Sequence, residues 1–248
     1  MAASPPSLSS SFSVIGFDTM GTLLDEKAGI KVASAAIREK LPSNISDEQF
    51  FKKFETHLRE QMRTTPPPTP YPTILGKAIS LTAHSFSNGE YSATESERDD
   101  FARALADWPA FDDTVASLQY LAEKHKLVAL SNMDTATLVE LTTTGALRDV
   151  PFAKLQGGDK TGAFKPDHRV NQALLDVAQD EFGVGKEQVL LVAQGLGSDH
   201  VPARDMGIAS AWIDRYGAGK DAAAEARPTW IFSSMKELVE EMKRQSRT

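Results

Sequence analysis

The sequence predicts an α/β fold in which helices flank a parallel β-sheet. Short apolar runs recur along the chain, and each is the length of one buried strand. Between and after them lie segments whose apolar residues follow helical spacing. Strands alternating with helices of this length form right-handed βαβ units, and hence a parallel sheet. The predicted strands are 13–17, 127–130, 188–193 and 208–213, with 229–232 as a candidate fifth; the predicted helices are 114–124, 170–182 and 234–244.

The first predicted strand carries an aspartate, Asp18, directly after its apolar residues. Parallel sheets place their chemistry at the carboxyl ends of their strands, so we expect Asp18 at the mouth of the sheet. An aspartate there can act as a covalent nucleophile. Two residues later stands Met20, which can neither donate nor accept a proton.

The segment 26–107 contains no convincing strand. Its periodicity predicts four helices, and Ser92 with Glu95 looks like a capping box for the last. The proline-rich run 64–70 predicts a stiff, extended link. We therefore expect a helical domain, 26–107, inserted into a core of 13–25 and 108–248, with 1–12 as a disordered tail. The four predicted helices are 29–41, 46–62, 72–86 and 94–108.

Composition narrows the classes of function. The 248 residues are 41% hydrophobic and 25% charged, which is typical of an ordinary globular protein. A net charge of −7 without a basic block argues against a nucleic-acid partner. No apolar run approaches the roughly 18 residues of a membrane span. The absence of cysteine excludes disulfides, thiolate metal sites and a cysteine nucleophile, and fits a cytoplasmic protein.

Four segments at predicted strand ends carry polar residues. The third contains a lysine before a proline that opens a helix, and the fourth is a glycine-rich turn with an acid. Because these ends meet at one edge of the sheet, we expect the side chains to converge. The candidate residues are Asp18 and Thr22 in the first segment, Ser131 and Asn132 in the second, Lys165 in the third, and Asp199 and His200 in the fourth.

The order of these motifs resembles the haloacid dehalogenase (HAD) superfamily, and the resemblance covers about residues 13–240. Within it the chain is most similar to the type II 2-haloacid dehalogenases and their dehalogenase-like relatives. The matching motifs are Phe17-Asp18-x-x-Gly21-Thr22-Leu23, Leu130-Ser131-Asn132, Phe164-Lys165-Pro166-Asp167-x-Arg169-Val170 and Ala203-Arg204-x-x-Gly207-x-x-x-x-Trp212-Ile213-x-Arg215.

The resemblance implies a Rossmann-like core with a helical cap and an aspartyl-ester mechanism. Asp18 would attack the substrate, and water would cleave the resulting ester. Lys165 would hold Asp18 ionised, and Asp199 would fix Lys165. An anionic substrate group would be held by hydroxyls and backbone N–H groups, and one amide would orient the nucleophile or substrate. The residues with these last roles are Thr22 and Ser131 for the anion and Asn132 for orientation.

Several positions depart from the family pattern. Met20 stands where HAD phosphatases have an acid, and Gly195 where their final turn has its first carboxylate, so no metal and no cofactor is predicted. Asn171 stands where the dehalogenases have a tyrosine. We expect Met20 to line the pocket, and Asn171 and His200 to be candidate substrate contacts. Gln194 and Leu196 replace the Ser and Asn of the dehalogenases' final turn.

The halide-binding arginine of the dehalogenase cap has no single match in this chain. Four cations in the second predicted cap helix are equal candidates, and the sequence does not choose among them. They are Lys52, Lys53, Arg59 and Arg63.

These observations predict metal-independent hydrolysis of a small anionic substrate through an ester on Asp18. Two alternatives stay open: a repurposed HAD-fold protein in a biosynthetic pathway, acting as a non-hydrolytic cyclase or lyase or by binding, and a magnesium-dependent phosphatase. The resemblance also implies a homodimer formed through the cap. A dinucleotide loop at Gly195-x-Gly197 is rejected because His200 takes the third glycine position, and the chain has neither a P-loop nor a serine nucleophile elbow.

Overall fold

A computed structural model of the chain describes residues 6–247. At its centre six parallel strands form one sheet, in the order β3-β2-β1-β4-β5-β6. The predicted α/β fold with a parallel sheet is confirmed. The strands are β1 Val14–Phe17, β2 Lys126–Leu130, β3 Lys154–Gln156, β4 Val189–Ala193, β5 Ala209–Ile213 and β6 Trp230–Phe232.

Strand β1 lies between β2 and β4, with Phe17 in register with Ala129 on one side and Val192 on the other. Every residue of β1 and β4 is buried, as expected for strands covered by helices on both faces. Gly16 allows one covering helix to approach closely, because a Cβ placed on it would lie 2.5 Å from Leu174 Cδ2.

Helices cover both faces of the sheet in the part of the chain after residue 108. The predicted helices at 114–124, 170–182 and 234–244 are present with small shifts at their ends. The core helices are α6 Thr114–Ala122, α7 Thr135–Thr143, α8 Gly158–Thr161, α9 His168–Phe182, α10 Val201–Asp205 and α11 Met235–Gln245.

The segment between β1 and β2 is helical, as predicted. Its helices are α1 Glu26–Ala33, α2 Ala35–Arg38, α3 Asp47–Thr64, α4 Tyr71–Phe86 and α5 Glu95–Arg103. The predicted helix 29–41 is divided at Ser34, and the last turn of the predicted helix 94–108 is a 3₁₀ turn at Ala104–Asp107. The domain boundaries at 26 and 107 stay predictions of the sequence.

Two local predictions in this helical segment are wrong. The capping box of α5 is formed by Thr94 and Glu97, not by Ser92 and Glu95, because the helix begins at Glu95 and its third residue is Glu97. The proline-rich run is a turn rather than an extended link: Thr69 N donates to Pro66 O at 3.4 Å.

The prediction of a disordered tail at 1–12 is wrong for the residues that the structure describes, while 1–5 lie outside them. Leu8 and Phe12 are only 0% and 4% exposed. Leu8 N donates to Gln245 Oε1 at 2.8 Å, and the Phe12 ring meets Trp230 edge-on at 5.8 Å between centroids. Burial of these two apolar side chains holds the serine-rich segment against the core, since its other side chains are mostly polar and contribute little apolar burial.

Four short elements were not predicted: β3, α7, α8 and α10. Strand β3 has three residues, with polar Lys154 and Gln156 at its ends, so it lacks an apolar run. Among residues 6–247, no helix is long and apolar enough to cross a membrane.

Candidate active site

The cleft lies where the strand order of the sheet reverses. From β1 the chain leads to β2 and β3 on one side, and later to β4, β5 and β6 on the other. Such a switch point leaves a crevice at the carboxyl ends of the strands. Asp18 follows β1, Ser131 follows β2 and Gln194 follows β4, so the central strands deliver polar residues to one crevice.

A buried ion triad forms the floor of this cleft. Lys165 Nζ lies 2.6 Å from Asp18 Oδ1 and 2.6 Å from Asp199 Oδ1. Asp18 and Lys165 are each 9% exposed and Asp199 is 2% exposed. One ammonium thus faces two carboxylates, the arrangement that compensates buried charge. The sequence placed these three residues in one site, and the structure brings them together.

The charges in the triad control its protonation. Burial alone would lower the pKa of Lys165, but the Asp18 and Asp199 carboxylates outweigh it and raise that pKa, so the ammonium stays charged. Burial and the neighbouring Asp199 carboxylate raise the pKa of Asp18, while the charge of Lys165 and hydrogen bonds from Lys165 and Thr22 oppose the rise. Lys165 is therefore the group that keeps a buried Asp18 available as a carboxylate.

Thr22 holds the second oxygen of Asp18. Its hydroxyl donates to Asp18 Oδ2 at 2.6 Å and accepts from Gln194 N at 2.8 Å. Gly21, with a φ of +70°, gives the chain the left-handed turn that brings Thr22 back to Asp18. Thr22 is not among the cavity-lining residues that the structure describes, so it is placed to orient Asp18 rather than to contact an anion in the cavity.

Ser131 and Asn132 lie beside the triad at the end of β2. Ser131 Oγ accepts from Met133 N at 3.2 Å. Ser131 and Asn132 both line the cavity. Asn132 Oδ1 accepts from Lys165 N at 2.8 Å, and its Nδ2 lies 3.4 Å from Met62 Sδ of α3. Asn132 therefore ties the lysine loop to β2 and contacts the helical segment.

The turn that carries Asp199 is closely packed. Leu196–His200 forms one π-helical turn, and Ser198 Oγ donates to Asp199 Oδ2 at 2.6 Å. A Cβ placed on Gly195 would lie 2.1 Å from Ser198 Oγ and 2.5 Å from Asp199 Oδ2. A carboxylate side chain at position 195 would not fit without moving this turn.

The residues present do not fit a magnesium ion. Within residues 6–247, no group of three or more His, Cys, Asp or Glu side chains is arranged to hold a metal. The two carboxylates that converge, Asp18 and Asp199, both contact the Lys165 ammonium. Magnesium prefers an octahedral set of oxygen ligands, which this pair does not supply.

A cavity of about 1040 Å³ opens above the triad, between the sheet and the helical segment. Met20 lines it, as predicted. Several apolar side chains, among them Leu58, Met62 and Phe164, share the lining with the polar floor. The helical segment contributes Glu26, Glu55, Leu58, Arg59, Met62, Arg63, Pro66, Pro67 and Tyr71.

Glu26 and Tyr71 are cavity residues that the sequence reasoning missed. Burial, the neighbouring Glu55 and Asp18 together raise the pKa of Glu26 to about 8. Burial also raises the pKa of the Tyr71 phenol, so it stays neutral. The signal in the sequence was weak: Glu26 is an acid in the first turn of a helix, a common position that needs no chemical role.

Two predicted substrate contacts lie elsewhere. His200 is fully buried, with Nε2 at 2.9 Å from Ala193 O and Nδ1 at 2.9 Å from Ser210 Oγ. Burial lowers its pKa to about 4, so it is a neutral core histidine that donates to the Ala193 carbonyl. Asn171 is 3% exposed on α9, and neither residue is among the cavity-lining residues that the structure describes.

The structure divides the four candidate cap cations into two pairs. Arg59 and Arg63 line the cavity, whereas Lys52 and Lys53 are exposed and do not. Arg59 pairs with Glu55 at 3.1 Å, and Arg63 pairs with a carboxylate one turn earlier. The two arginines are therefore the candidates for contact with an anion.

Comparison with solved structures supports this fold. A structure described as a dehalogenase shares 20% identity with this chain and has a TM-score of 0.75. The match covers 92% of this chain and 96% of that structure's chain. The L-2-haloacid dehalogenase from Xanthobacter autotrophicus shares 18% identity, covers 94% and 98%, and has a TM-score of 0.73.

A third similar structure is that of a putative HAD-hydrolase, YfnB from Bacillus subtilis, bound to magnesium. It shares 16% identity, covers 94% of this chain and 99% of its own, and has a TM-score of 0.72. No protein-family model and no curated protein matches the sequence. At these identities the comparisons establish that the chain has the α/β fold shared by haloacid dehalogenases and HAD hydrolases.

Proposed function

We propose that this protein is a HAD-like hydrolase of the 2-haloacid dehalogenase type, acting without a metal on a small anionic substrate. The observation that carries the proposal is the setting of Asp18. Both of its oxygens accept hydrogen bonds of 2.6 Å, from Lys165 and Thr22, and the residue lines the cavity. A buried carboxylate held in this way is oriented for nucleophilic attack.

The reaction proceeds in two steps. Asp18 attacks the substrate carbon, the bond from that carbon to the leaving atom breaks, and the leaving atom takes the electron pair. Water then attacks the carbonyl carbon of the Asp18 ester, which releases the alcohol and restores the carboxylate. The L-2-haloacid dehalogenase from Xanthobacter autotrophicus, 18% identical, has been solved with chloropropionic acid covalently bound, which supports a covalent route on this fold.

An anionic group of the substrate has several partners in the cleft. Ser131 Oγ lies at the end of β2 beside the triad. Arg59 and Arg63 face the same cavity from α3. Guanidinium groups bind carboxylates through paired N–H donors, so these residues select for a negative charge.

The charge arrangement favours the metal-independent reaction over phosphatase chemistry. Lys165 supplies the positive charge beside Asp18 at 2.6 Å, and packing at Gly195 leaves no room for a second carboxylate. Met20, two residues after Asp18, carries no proton to give, so a proton for an oxygen leaving atom would have to come from another residue. The proposal therefore assigns no step to magnesium.

One observation favours a second candidate, a repurposed protein acting on a larger molecule in a biosynthetic pathway. The cavity of about 1040 Å³ is at the upper end of ordinary ligand pockets, which hold drug-sized molecules. A three-carbon haloacid would fill a small part of it. On this alternative, the same triad serves a cyclisation, an elimination or binding. The cytoplasmic location and the homodimer stay expectations from the sequence.

Halide release tests the leading proposal. The purified protein is incubated with 2-chloropropionate and 2-bromopropionate in the presence of a chelator, beside Asp18→Asn and the matched surface variant Asp176→Asn. We expect release by the wild type and by Asp176→Asn, whose residue is exposed on α9, and none by Asp18→Asn. Release that requires magnesium, or that survives Asp18→Asn, contradicts the proposal.

A further inference from the structure

One carboxyl of the cavity, that of Glu26, has no partner among the residues that the structure describes. Glu26 begins α1, directly after Asp25, which caps the helix by accepting from Ala28 N at 3.1 Å. The capping role is thus already filled. Glu26 lines the cavity, and no hydrogen bond or ion pair joins its side chain to residues 6–247.

Glu26 lies against the loop that carries the nucleophile. A Cβ placed on Gly21 would lie 2.8 Å from Glu26 Oε1 and 3.6 Å from Gln194 Oε1. Gly21 N donates to Leu24 O in the tight turn that follows Asp18. The carboxyl of Glu26 and the amide of Gln194 therefore both lie close to Gly21, three residues after Asp18, and both residues line the cavity.

The surroundings of Glu26 disfavour its charged form. Glu55 faces it from α3 and Asp18 from the end of β1, while Asp25 and Lys27 lie beside it on its own helix. Burial is the largest influence, the three carboxylates add to it, and only Lys27 opposes it. With a pKa of about 8, the side chain holds a proton in the resting protein at neutral pH and can give it up.

Three other residues near Asp18 are poorly suited to move a proton. Met20 has no titratable group. Lys165 is held by two carboxylates, and both ring nitrogens of His200 are bonded to protein groups outside the cavity. The cleft therefore has a nucleophile and a charge partner, and Glu26 is the cavity carboxyl without a fixed role.

We propose that Glu26 is the acid–base residue of this cleft, giving its proton to the leaving atom and then accepting one from the hydrolytic water. The inference rests on the proposed function, because it assigns a role within the same two-step reaction.

The proton balance closes over one turnover. When the leaving atom is oxygen, it departs with the bonding electron pair as Asp18 attacks, and it takes the proton of Glu26. The Glu26 carboxylate next accepts a proton from the water that attacks the ester carbonyl. The tetrahedral intermediate then collapses, and its hydroxyl proton goes to the departing alkoxide. The net reaction adds one water and leaves Glu26 protonated and Asp18 ionised, as at the start.

This role also defines a substrate class. Bromide and chloride are stable anions that depart without a proton, whereas an alkoxide departs readily only when protonated. A proton-bearing Glu26 fits substrates whose leaving atom is oxygen, in addition to halides. A halide takes no proton, so with such a substrate Glu26 releases its proton to solvent before the second step. Its carboxylate then accepts a proton from the hydrolytic water, as it does with an oxygen leaving atom.

The test separates the two steps with 2-bromopropionate, whose bromide needs no proton. Rapid quenching and intact-protein mass spectrometry follow the ester on Asp18 in the wild type, in Glu26→Gln and in the matched surface variant Glu48→Gln. We expect Glu26→Gln to form the ester but to hydrolyse it at least about 100-fold more slowly, so that the adduct accumulates. Glu48 is exposed on α3, and its variant should match the wild type.

A second variant distinguishes proton transfer from a structural role. Glu26→Ala should also accumulate the ester, and added formate, a small external base, should restore part of its hydrolysis. Hydrolysis by Glu26→Gln at the wild-type rate, or failure of formate to accelerate Glu26→Ala, overturns the role of Glu26 while the Asp18 ester stands. An absence of any adduct on Asp18 in all of these proteins overturns both proposals.

Discussion

Replacement of Lys165 by methionine tests how the buried charges hold the site together. Methionine keeps much of the length of the side chain and removes its charge and its N–H donors. In the wild type, Nζ lies 2.6 Å from both Asp18 and Asp199, whose residues are 9% and 2% exposed. The variant therefore leaves two carboxylates buried without their cation. Breaking a buried ion pair in this way costs about 3–5 kcal/mol, and we expect Lys165→Met to lower the free energy of unfolding by that amount near pH 7.

The pH dependence of this loss has a definite sign. Burial already raises the pKa of Asp18, and without the ammonium it rises further. A carboxyl with a raised pKa in the folded state stabilises the fold when it is protonated, and this contribution is lost as the pH rises through that pKa. The deficit of Lys165→Met should therefore be smaller at about pH 5 than at about pH 8.

Urea unfolding of the wild type and Lys165→Met across this pH range measures both effects. The partly exposed Lys154, which pairs with Glu181, provides a matched control, and Lys154→Met should cost less than about 1 kcal/mol. Adding Asp18→Asn to Lys165→Met should recover part of the loss, because one buried charge is removed. A loss below about 1 kcal/mol for Lys165→Met, or one that does not change with pH, would refute the reasoning.

Three further predictions concern stability. Leu8→Ala should lower the free energy of unfolding by about 2–5 kcal/mol, since Leu8 is fully buried. A change near zero in urea unfolding would show that the N-terminal segment does not contribute to stability. Gly16→Ala should lower the free energy of unfolding by about 1–3 kcal/mol, because its Cβ would lie 2.5 Å from Leu174. An unchanged midpoint of urea unfolding would mean that α9 can shift to admit the methyl group without loss of stability. Glu26→Gln should become more stable relative to the wild type as the pH rises from 4.5 to about 8, by up to a few kcal/mol. In this range the unfolded wild type loses the Glu26 proton while the folded wild type keeps it, so the wild type is destabilised, whereas glutamine does not titrate. Thermal unfolding at both ends of this range checks the last, and a difference independent of pH would show that Glu26 titrates normally.

The sequence was sufficient to predict the fold class because most of its strands are short, mainly apolar runs separated by segments with helical spacing. Asp18, Lys165 and Asp199 could be placed together because each follows or precedes an element whose end lies at the same edge of a parallel sheet. Strand β3 was missed since its outer residues, Lys154 and Gln156, are polar.

The direction of a side chain is less accessible from sequence than the position of its backbone. His200 adjoins Asp199 in the chain, yet the π-helical turn directs it to Ala193 and Ser210 and away from the cavity. Glu26 owes its raised pKa first to burial and then to Glu55, which is distant in the sequence and approaches it only when α3 packs near α1. Contacts between residues that are distant in the chain leave no pattern in the sequence around either residue.

The origin of the new oxygen after turnover tests the central claim most directly. The protein is given 2-chloropropionate in ¹⁸O-water through several turnovers without metal, and its peptides are analysed by mass spectrometry. Attack by Asp18 followed by hydrolysis at the ester carbonyl predicts that ¹⁸O enters the peptide containing Asp18. Chloride release with ¹⁸O in the product alone and none in that peptide would contradict a covalent role for Asp18.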